Sequence, residues 1–176
     1  VLDNNTGIVY NTPDYICFKF TGTDCSVVGG LGRGFIGPAS WDGANVPLTY
    51  GVIWFGGNGC TVKTRLYNVR KVGFWFKDVV DGTVDGNIIE GNYPSGSWTG
   101  TEVGHVGVAF DTSTANAGNF KLLNNTIKSC VQGCLPANYG TGGVIQGFVA
   151  TGNLFDGCWN HGIYTISTNG AVITGN

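Results

Sequence analysis

Short apolar runs recur along the chain in a fixed relation to polar turn residues. Four segments share one frame that ends on an asparagine, which we call the marker: Thr83–Asn87, Lys121–Asn125, Val149–Asn153 and Val172–Asn176. Two weaker copies place the marker at Gly30 and at Arg65. The apolar residue three positions before each marker predicts one inward column, formed by Val27, Val62, Val84, Leu122, Ala150 and Ile173.

Two further runs complete the pattern. One follows a glycine, at Gly51, Gly73, Gly107 and Gly162, and predicts a second inward column of Val52, Phe74, Val108 and Ile163. The other lies two residues after the marker, at Tyr67, Ile89, Ile127 and Phe155. The basic period is 22 to 23 residues, so the pattern predicts three short strands in each period.

None of these strands can bury its apolar side alone, and helix-forming stretches are scarce. Stacking each strand parallel to its counterpart one period later, about 4.8 Å away, buries the apolar columns. Asparagine and glycine at the markers suit the bends between strands. The sequence therefore predicts an all-β solenoid of about six coils.

The recurring "xVxGN…GI" pattern resembles the right-handed parallel β-helix proteins of the pectate-lyase-like superfamily, among them the bacteriophage tailspikes. The resemblance covers roughly residues 17–176, which leaves 1–16 as a lead-in segment of a single domain, 1–176. It implies a right-handed β-helix and, for tailspikes, a homotrimer. It brings no catalytic motif. Because Asn176 opens a coil that has no following strands, we expect the chain to be a piece of a larger protein, incomplete at its C-terminus.

Composition narrows the possible partners. The chain has 9 basic and 11 acidic residues and a net charge of −2, so neither nucleic acid nor an anionic membrane is an expected partner. No apolar run approaches the roughly 20 residues that a membrane span needs, so we expect no membrane insertion. We also expect no metal and no other cofactor.

Two coils carry insertions of similar sequence at the same corner, "GPASWDGANVPLTY" and "NYPSGSWTGTEVGH". Each offers a tryptophan and then an acidic residue: Trp41 with Asp42, and Trp98 with Glu102. An indole stacks on the apolar face of a sugar, and a carboxylate accepts hydrogen bonds from its hydroxyls. The loops therefore predict the walls of a carbohydrate groove. The alternative is that both indoles close the corner as hydrophobic covers.

Glycoside hydrolysis needs two carboxyl groups beside the scissile bond. We predict Glu102 as one partner, with Asp42 or Asp111 as the other. His105 and the outward Trp75 are predicted to contact substrate. Trp75 shares its predicted outward column with Ile53, Ala109, Leu135 and Tyr164, and this column is alternatively a contact between subunits.

The predicted function is recognition of a polysaccharide, with hydrolysis of bacterial surface glycan in a virion tail or otherwise outside the cell. A glycan-binding β-helix without catalysis is the alternative. A secreted polysaccharide lyase or pectin-type hydrolase is the second alternative, for which Lys63, Arg65, Arg70 and Lys71 form the basic cluster.

Four of the six cysteines are predicted to stack in pairs, Cys25 with Cys60 and Cys130 with Cys158. Stacked cysteines fall within the range of a disulfide, and they also serve as small apolar core residues. We expect thiols if the protein assembles in a reducing compartment. Glu90, Lys128 and Asp156 are predicted to share a charged outward column.

Overall fold

The computed structural model describes residues 18–29, 53–69, 72–91, 106–113, 117–138, 140 and 143–176, together with two short strands at 8–9 and 35–36. This part of the chain consists of strands and turns, without helices. Accordingly, it includes no helix that is long and apolar enough to span a membrane. Most of the two insertions, with Trp41 and Trp98, lies outside the described residues.

The described strands are short, from two to seven residues. In chain order they are β1 (Ile8–Val9), β2 (Phe18–Phe20), β3 (Ser26–Val28), β4 (Phe35–Ile36), β5 (Ile53–Phe55), β6 (Thr61–Lys63), β7 (Arg65–Val69), β8 (Val72–Lys77), β9 (Thr83–Asp85), β10 (Ile88–Gly91), β11 (Val106–Thr112), β12 (Lys121–Leu123), β13 (Thr126–Lys128), β14 (Gln132–Asn138), β15 (Ile145–Gln146), β16 (Val149–Thr151), β17 (Leu154–Asp156), β18 (His161–Ile163), β19 (Thr168–Asn169) and β20 (Val172–Thr174).

These strands form three six-stranded sheets and one small sheet. Sheet A contains β1, β4, β7, β10, β13 and β17; sheet B contains β2, β5, β8, β11, β14 and β18; sheet C contains β3, β6, β9, β12, β16 and β20. Strands β15 and β19 pair separately. All the described pairings are parallel. The chain is thus all-β with parallel sheets, which is compatible with the predicted solenoid.

The register of sheet C confirms the first predicted column. Val27, Val62, Val84, Leu122, Ala150 and Ile173 are direct neighbours across the six strands. The first five are buried, whereas Ile173 on the outermost strand is 47% exposed. Each fully buried valine or leucine side chain contributes roughly 1.5 to 3 kcal/mol to stability through its removal from water.

The marker asparagines form a buried ladder beside this column. Asn125 Oδ1 accepts the backbone N–H and the side-chain amide of Asn87, both at 2.9 Å. Asn153 Oδ1 accepts the same two groups of Asn125 at 3.0 and 2.9 Å. Each of the amide groups of Asn87, Asn125 and Asn153 also donates to a backbone carbonyl. The ladder therefore satisfies buried polar groups while it joins successive repeats.

One marker was predicted one residue too late. Thr64, not Arg65, occupies the ladder position, since its backbone N–H donates to Asn87 Oδ1 at 2.7 Å. The turn after β6 has one residue fewer than the turn after β9, where Gly86 adopts a φ of 66°. The shorter turn shifts sheet A as well: the buried neighbour of Ile89 is Leu66 and not the predicted Tyr67. Asn68, with a φ of 55°, lies where the pairing then shifts at a bulge.

Sheet B corrects a second prediction. The residue aligned with Phe74 is Ile53, not Val52, and the column continues through Val108, Cys134 and Ile163. Ile53 was predicted to face outward, but it is fully buried. The outward neighbour of Trp75 is therefore Trp54.

Phenylalanines form the next inward column of sheet B. Phe20, Phe55, Phe76 and Phe110 stack with ring centroids 5.5, 4.6 and 5.1 Å apart. Phe110 also lies 4.6 Å from Phe120. Aromatic pairs at such separations add about 0.5 to 1.5 kcal/mol to the stability gained from burial. This stack extends the core along the direction in which the strands pair.

A column of glycines lies where the chain enters sheet B. Gly73, Gly107, Gly133 and Gly162 follow residues that are aligned in the sheet register. A Cβ on Gly107 would meet the Gly133 carbonyl oxygen and the Ile127 side chain, each at 2.7 Å. A Cβ on Gly133 would meet the ring of Phe155 at 2.4 Å. Glycine is required here by close packing against sheet A.

Candidate functional site

The outer face of sheet B carries an unusual set of aromatic and charged side chains. It lies opposite the buried phenylalanine column, because side chains alternate along a strand. The aligned positions run from Lys19 through Trp54 and Trp75 to Ala109 and Leu135. Two residues further along their strands, Lys77 and Asp111 are also aligned.

Asp111 lies at the centre of this face. Its Oδ2 atom accepts a hydrogen bond from the Trp75 indole Nε1 at 3.2 Å and another from Lys77 Nζ at 3.1 Å. Its side chain is 15% exposed. Its Oδ1 atom is buried and has no hydrogen-bond partner in the described part of the chain. A buried carboxylate oxygen with unused acceptor capacity is costly, and such atoms occur at functional sites.

A second carboxylate lies beside the first. Lys77 Nζ is 4.0 Å from Asp78 Oδ2, so one ammonium group approaches both Asp78 and Asp111. Asp78 Oδ1 accepts the Ser113 N–H at 2.6 Å and the hydroxyls of Ser113 and Thr112 at 3.1 and 3.2 Å. Burial by itself raises the pKa of Asp78, but the Ser113 N–H, the Lys77 ammonium and the two hydroxyls outweigh it, and the pKa is lowered. These contacts hold Asp78 as an ionised structural acceptor.

Aromatic surface continues on the neighbouring strand. Trp54 lies next to Trp75 in the register and is partly exposed. Its ring extends over Gly56, where a Cβ would come within 2.3 Å of the indole. The Lys19 ammonium lies 4.6 Å from the centre of the Trp54 ring, a cation–π contact. Trp75 and Lys77 therefore contact Asp111, and Trp54 and Lys19 continue the same sheet face on the next two strands.

A separate aromatic pair lies at the other end of sheet B. The rings of His161 and Tyr164 stack with centroids 4.7 Å apart and an interplanar angle of 15°. Tyr164 is 40% exposed, and His161 Nδ1 is buried without a partner among the described residues. The stacking of His161 with Tyr164 was not anticipated from the sequence.

The structure joins two of the predicted site residues. Trp75 and Asp111 were predicted for different reasons, the first as an outward aromatic and the second as a carboxylate, and they are hydrogen-bonded to each other. Asp42, Trp41, Trp98, Glu102 and His105 lie outside the described residues. The paired carboxylate loops therefore remain a prediction.

Two members of this face were missed in the sequence. Trp54 was overlooked because the frame was fixed on Gly51; the repeated triplet Ile53-Trp54-Phe55 and Phe74-Trp75-Phe76 signals the correct alignment. The contact of Lys77 with both carboxylates depends on side-chain positions. No feature of the sequence around Lys19 indicated that it belongs to this face.

The basic residues expected for a lyase are not gathered at this face. Lys63 and Arg65 belong to β6 and β7, in sheets C and A, while Arg70 and Lys71 lie outside the described residues. In the described ranges, no three His, Cys, Asp or Glu side chains are grouped as metal ligands would be. The face is thus built from the Asp111 carboxylate with Asp78 beside it, ammonium donors and indole surfaces.

A comparison of the sequence and the fold with protein-family models, curated proteins and solved structures finds no match. Arguments about function therefore rest on the residues themselves.

Proposed function

We propose that the chain is a right-handed parallel β-helix that recognises a polysaccharide through the outer face of sheet B. The winding is supported by the order in which the chain visits the sheets: B, C, A and then B again. Right-handed connections between parallel strands are the strong rule. The resemblance to tailspikes and pectate-lyase-like proteins belongs to this proposal.

One observation carries the functional part. Asp111, whose side chain is 15% exposed, is held between Lys77 and the partly exposed indole of Trp75. A sugar presents an apolar ring face to an indole and hydroxyl groups to acceptors and donors around it. The ammonium of Lys77 supplies a donor in the same place. This combination suits a carbohydrate better than a purely apolar ligand.

Hydrolysis of bacterial surface glycan is the catalytic form of the proposal. Asp111 then acts as the base or nucleophile, since the contacts at its Oδ2 come from donor groups. Glu102, on the second insertion, acts as the proton donor, or Asp42 completes the pair. The protein then acts outside the cell or on a virion tail. The resemblance to tailspikes implies that it is a homotrimer.

Binding without cleavage is the second candidate. It is favoured by the ion pair between Lys77 and Asp111, because an ammonium at 3.1 Å occupies the oxygen that would otherwise attack. In this form the same face holds glycan and releases it intact.

A titration with capsule and O-antigen oligosaccharides tests recognition. Trp75→Ala and Asp111→Asn should each weaken binding of a glycan that the wild type binds, by about tenfold, which corresponds to 1.4 kcal/mol. Trp75→Phe keeps the ring, loses the indole N–H and should retain part of the affinity. The matched control is Trp159→Ala. It removes a tryptophan that is 41% exposed and distant from Asp111 in the sequence, and it should bind the glycan with wild-type affinity.

Release of reducing ends from the bound oligosaccharide separates the two forms. Wild-type cleavage that is lost in Glu102→Gln and Asp111→Asn supports hydrolysis. Binding of the oligosaccharide by the wild type without release of reducing ends supports the binding form. Dissociation of an oligomer by Trp75→Ala, with no glycan bound by the wild type, would instead assign this face to a subunit contact and overturn the proposal.

A further inference from the structure

Two cysteines are direct neighbours on adjacent repeats at the start of sheet C. Cys25 precedes β3 and Cys60 precedes β6, and the N–H of Thr61 donates to the Cys25 carbonyl at 2.9 Å. Aligned residues on neighbouring parallel strands lie about 4.8 Å apart. This spacing falls within the Cα separations that disulfides span, about 4.4 to 6.8 Å.

The two thiols also approach the same carbonyl group, although the nearest acceptor of Cys60 Sγ is the Gly57 carbonyl oxygen at 3.1 Å. Cys25 Sγ lies 3.1 Å from the Gly22 carbonyl oxygen, and Cys60 Sγ lies 3.6 Å from the same atom. Side chains placed in this way need only small rotations to bring the two sulfur atoms together.

The two cysteines differ in access to solvent. Cys25 is partly exposed, whereas Cys60 is fully buried. Burial raises the pKa of the Cys60 thiol, so Cys60 forms a thiolate less readily. A reagent in solution therefore meets Cys25 first, and Cys60 lies behind it as the second thiol.

The chain contains its own comparison pair. Cys130 and Cys158 are also neighbours, because the Trp159 N–H donates to the Cys130 carbonyl at 2.9 Å. Their thiols point to different acceptors: Cys130 Sγ to the Lys128 carbonyl at 3.3 Å and Cys158 Sγ to the Ile127 carbonyl at 3.8 Å. Burial raises the pKa of both thiols, and Cys130 is fully buried. Both pairs are stacked, and each combines one partly exposed with one buried cysteine. The approach of both thiols to the Gly22 carbonyl distinguishes Cys25 and Cys60.

We propose that Cys25 and Cys60 are a modification site that forms a reversible disulfide by exchange with a small-molecule disulfide. The Cys25 thiolate attacks one sulfur of that disulfide, a mixed disulfide forms, and one thiolate leaves. The Cys60 thiolate then attacks the Cys25 sulfur and expels the second thiolate. The two protein thiols lose two electrons in total, and the two released thiolates take up the two protons.

The cross-link has a defined place in the chain. It joins the residues that precede β3 and β6, and it closes the segment 26–59, which contains the first insertion with Trp41 and Asp42. It therefore restrains the unfolded chain at the insertion and ties two repeats together. It does not depend on the proposed binding of polysaccharide.

Oxidised glutathione is the probe. Reduced wild-type protein is incubated with it, quenched with acid, then unfolded and alkylated at neutral pH, and analysed by intact mass and peptide mapping. The expected product is a monomer that carries two alkyl groups fewer than the untreated, alkylated protein, with Cys25 linked to Cys60, and reduction before alkylation restores both groups. Cys60→Ser should stop at the glutathione adduct on Cys25, and Cys25→Ser should give no link. Cys130→Ser, the matched control, should form the wild-type link.

The peptide map of the wild type decides the matter even if a serine variant folds poorly. Complete alkylation of Cys25 and Cys60 after exposure would overturn the proposal. So would a Cys130–Cys158 link that forms equally fast, or links from Cys25 to Cys17 or to a second molecule.

Discussion

At the scale of single residues, the outer face of sheet B depends on how two neighbouring carboxylates are divided between structure and ligand. Asp78 receives three hydrogen bonds within the chain at one oxygen. Asp111 receives two at Oδ2 and none at Oδ1 from the described residues. The first is therefore a structural anchor of the segment after β11, whereas the second keeps a buried oxygen without a partner among the described residues.

The lowered pKa of Asp78 predicts a pH dependence of stability. A carboxyl with a lower pKa in the folded than in the unfolded state stabilises the fold above its unfolded pKa, near 3.9, and this contribution is lost as the pH falls through the folded pKa. The free energy of unfolding of the wild type should therefore exceed that of Asp78→Asn at pH 6, and the difference should shrink toward pH 2. Urea denaturation at several pH values measures it. A difference that grows on acidification would contradict the assignment.

At the scale of strands and turns, the repeating features of the fold were predicted from the sequence, and the irregular features were not. The sheet C column and the charged column of Glu90, Lys128 and Asp156 were predicted correctly because residue spacing alone determines them. The marker was wrongly placed at Arg65 because the turn after β6 is one residue shorter than the turn after β9, and the sequence pattern does not show this difference. Trp54 was missed because a glycine frame was preferred to a repeated aromatic triplet. The contacts of Asp111 needed side-chain geometry, and the long insertions break the period on which every other prediction rests.

The asparagine ladder should be a major stabilising element. Asn125→Ala removes a buried amide, and the backbone N–H of Asn87 loses its acceptor while Asn153 Oδ1 loses one of its two donors from residue 125. We expect a loss of about 3 kcal/mol in the free energy of unfolding. The control is Asn124→Gly, since Asn124 has a φ of 54° and aligned positions carry glycine. Thermal and urea denaturation should show a change of less than about 1 kcal/mol for the control. Equal losses of unfolding free energy in the two variants would contradict a major contribution of the asparagine ladder to stability.

The glycine column predicts a steric penalty. In Gly107→Ala, the new methyl group would press on the Gly133 carbonyl and on Ile127, so we expect a loss of about 2 to 3 kcal/mol. Gly175→Asn is the comparison, because the nearest atom to its Cβ is 4.0 Å away and asparagine tolerates a φ of 61°. An alanine at position 107 that leaves the urea midpoint unchanged would refute close packing at this corner.

At the scale of the whole molecule, the parallel sheets place one face of six strands in a regular, rigid array. Such a surface suits an extended polymer, because strands about 4.8 Å apart present side chains at a repeat close to that of a chain of sugars. The acidic residue, the two indoles and the lysines occupy only part of this face. The proposal that this face recognises polysaccharide rests on the contacts of Trp75 and Lys77 with Asp111 and on the second indole, Trp54, of the neighbouring strand.

The most direct measurement is a crystal structure of the wild type soaked with an oligosaccharide from the capsule and O-antigen panel that it binds in solution. The account predicts a sugar ring against Trp75, with a hydroxyl group hydrogen-bonded to Asp111. A sugar bound on sheet A or sheet C, or binding to no member of the panel, would contradict it.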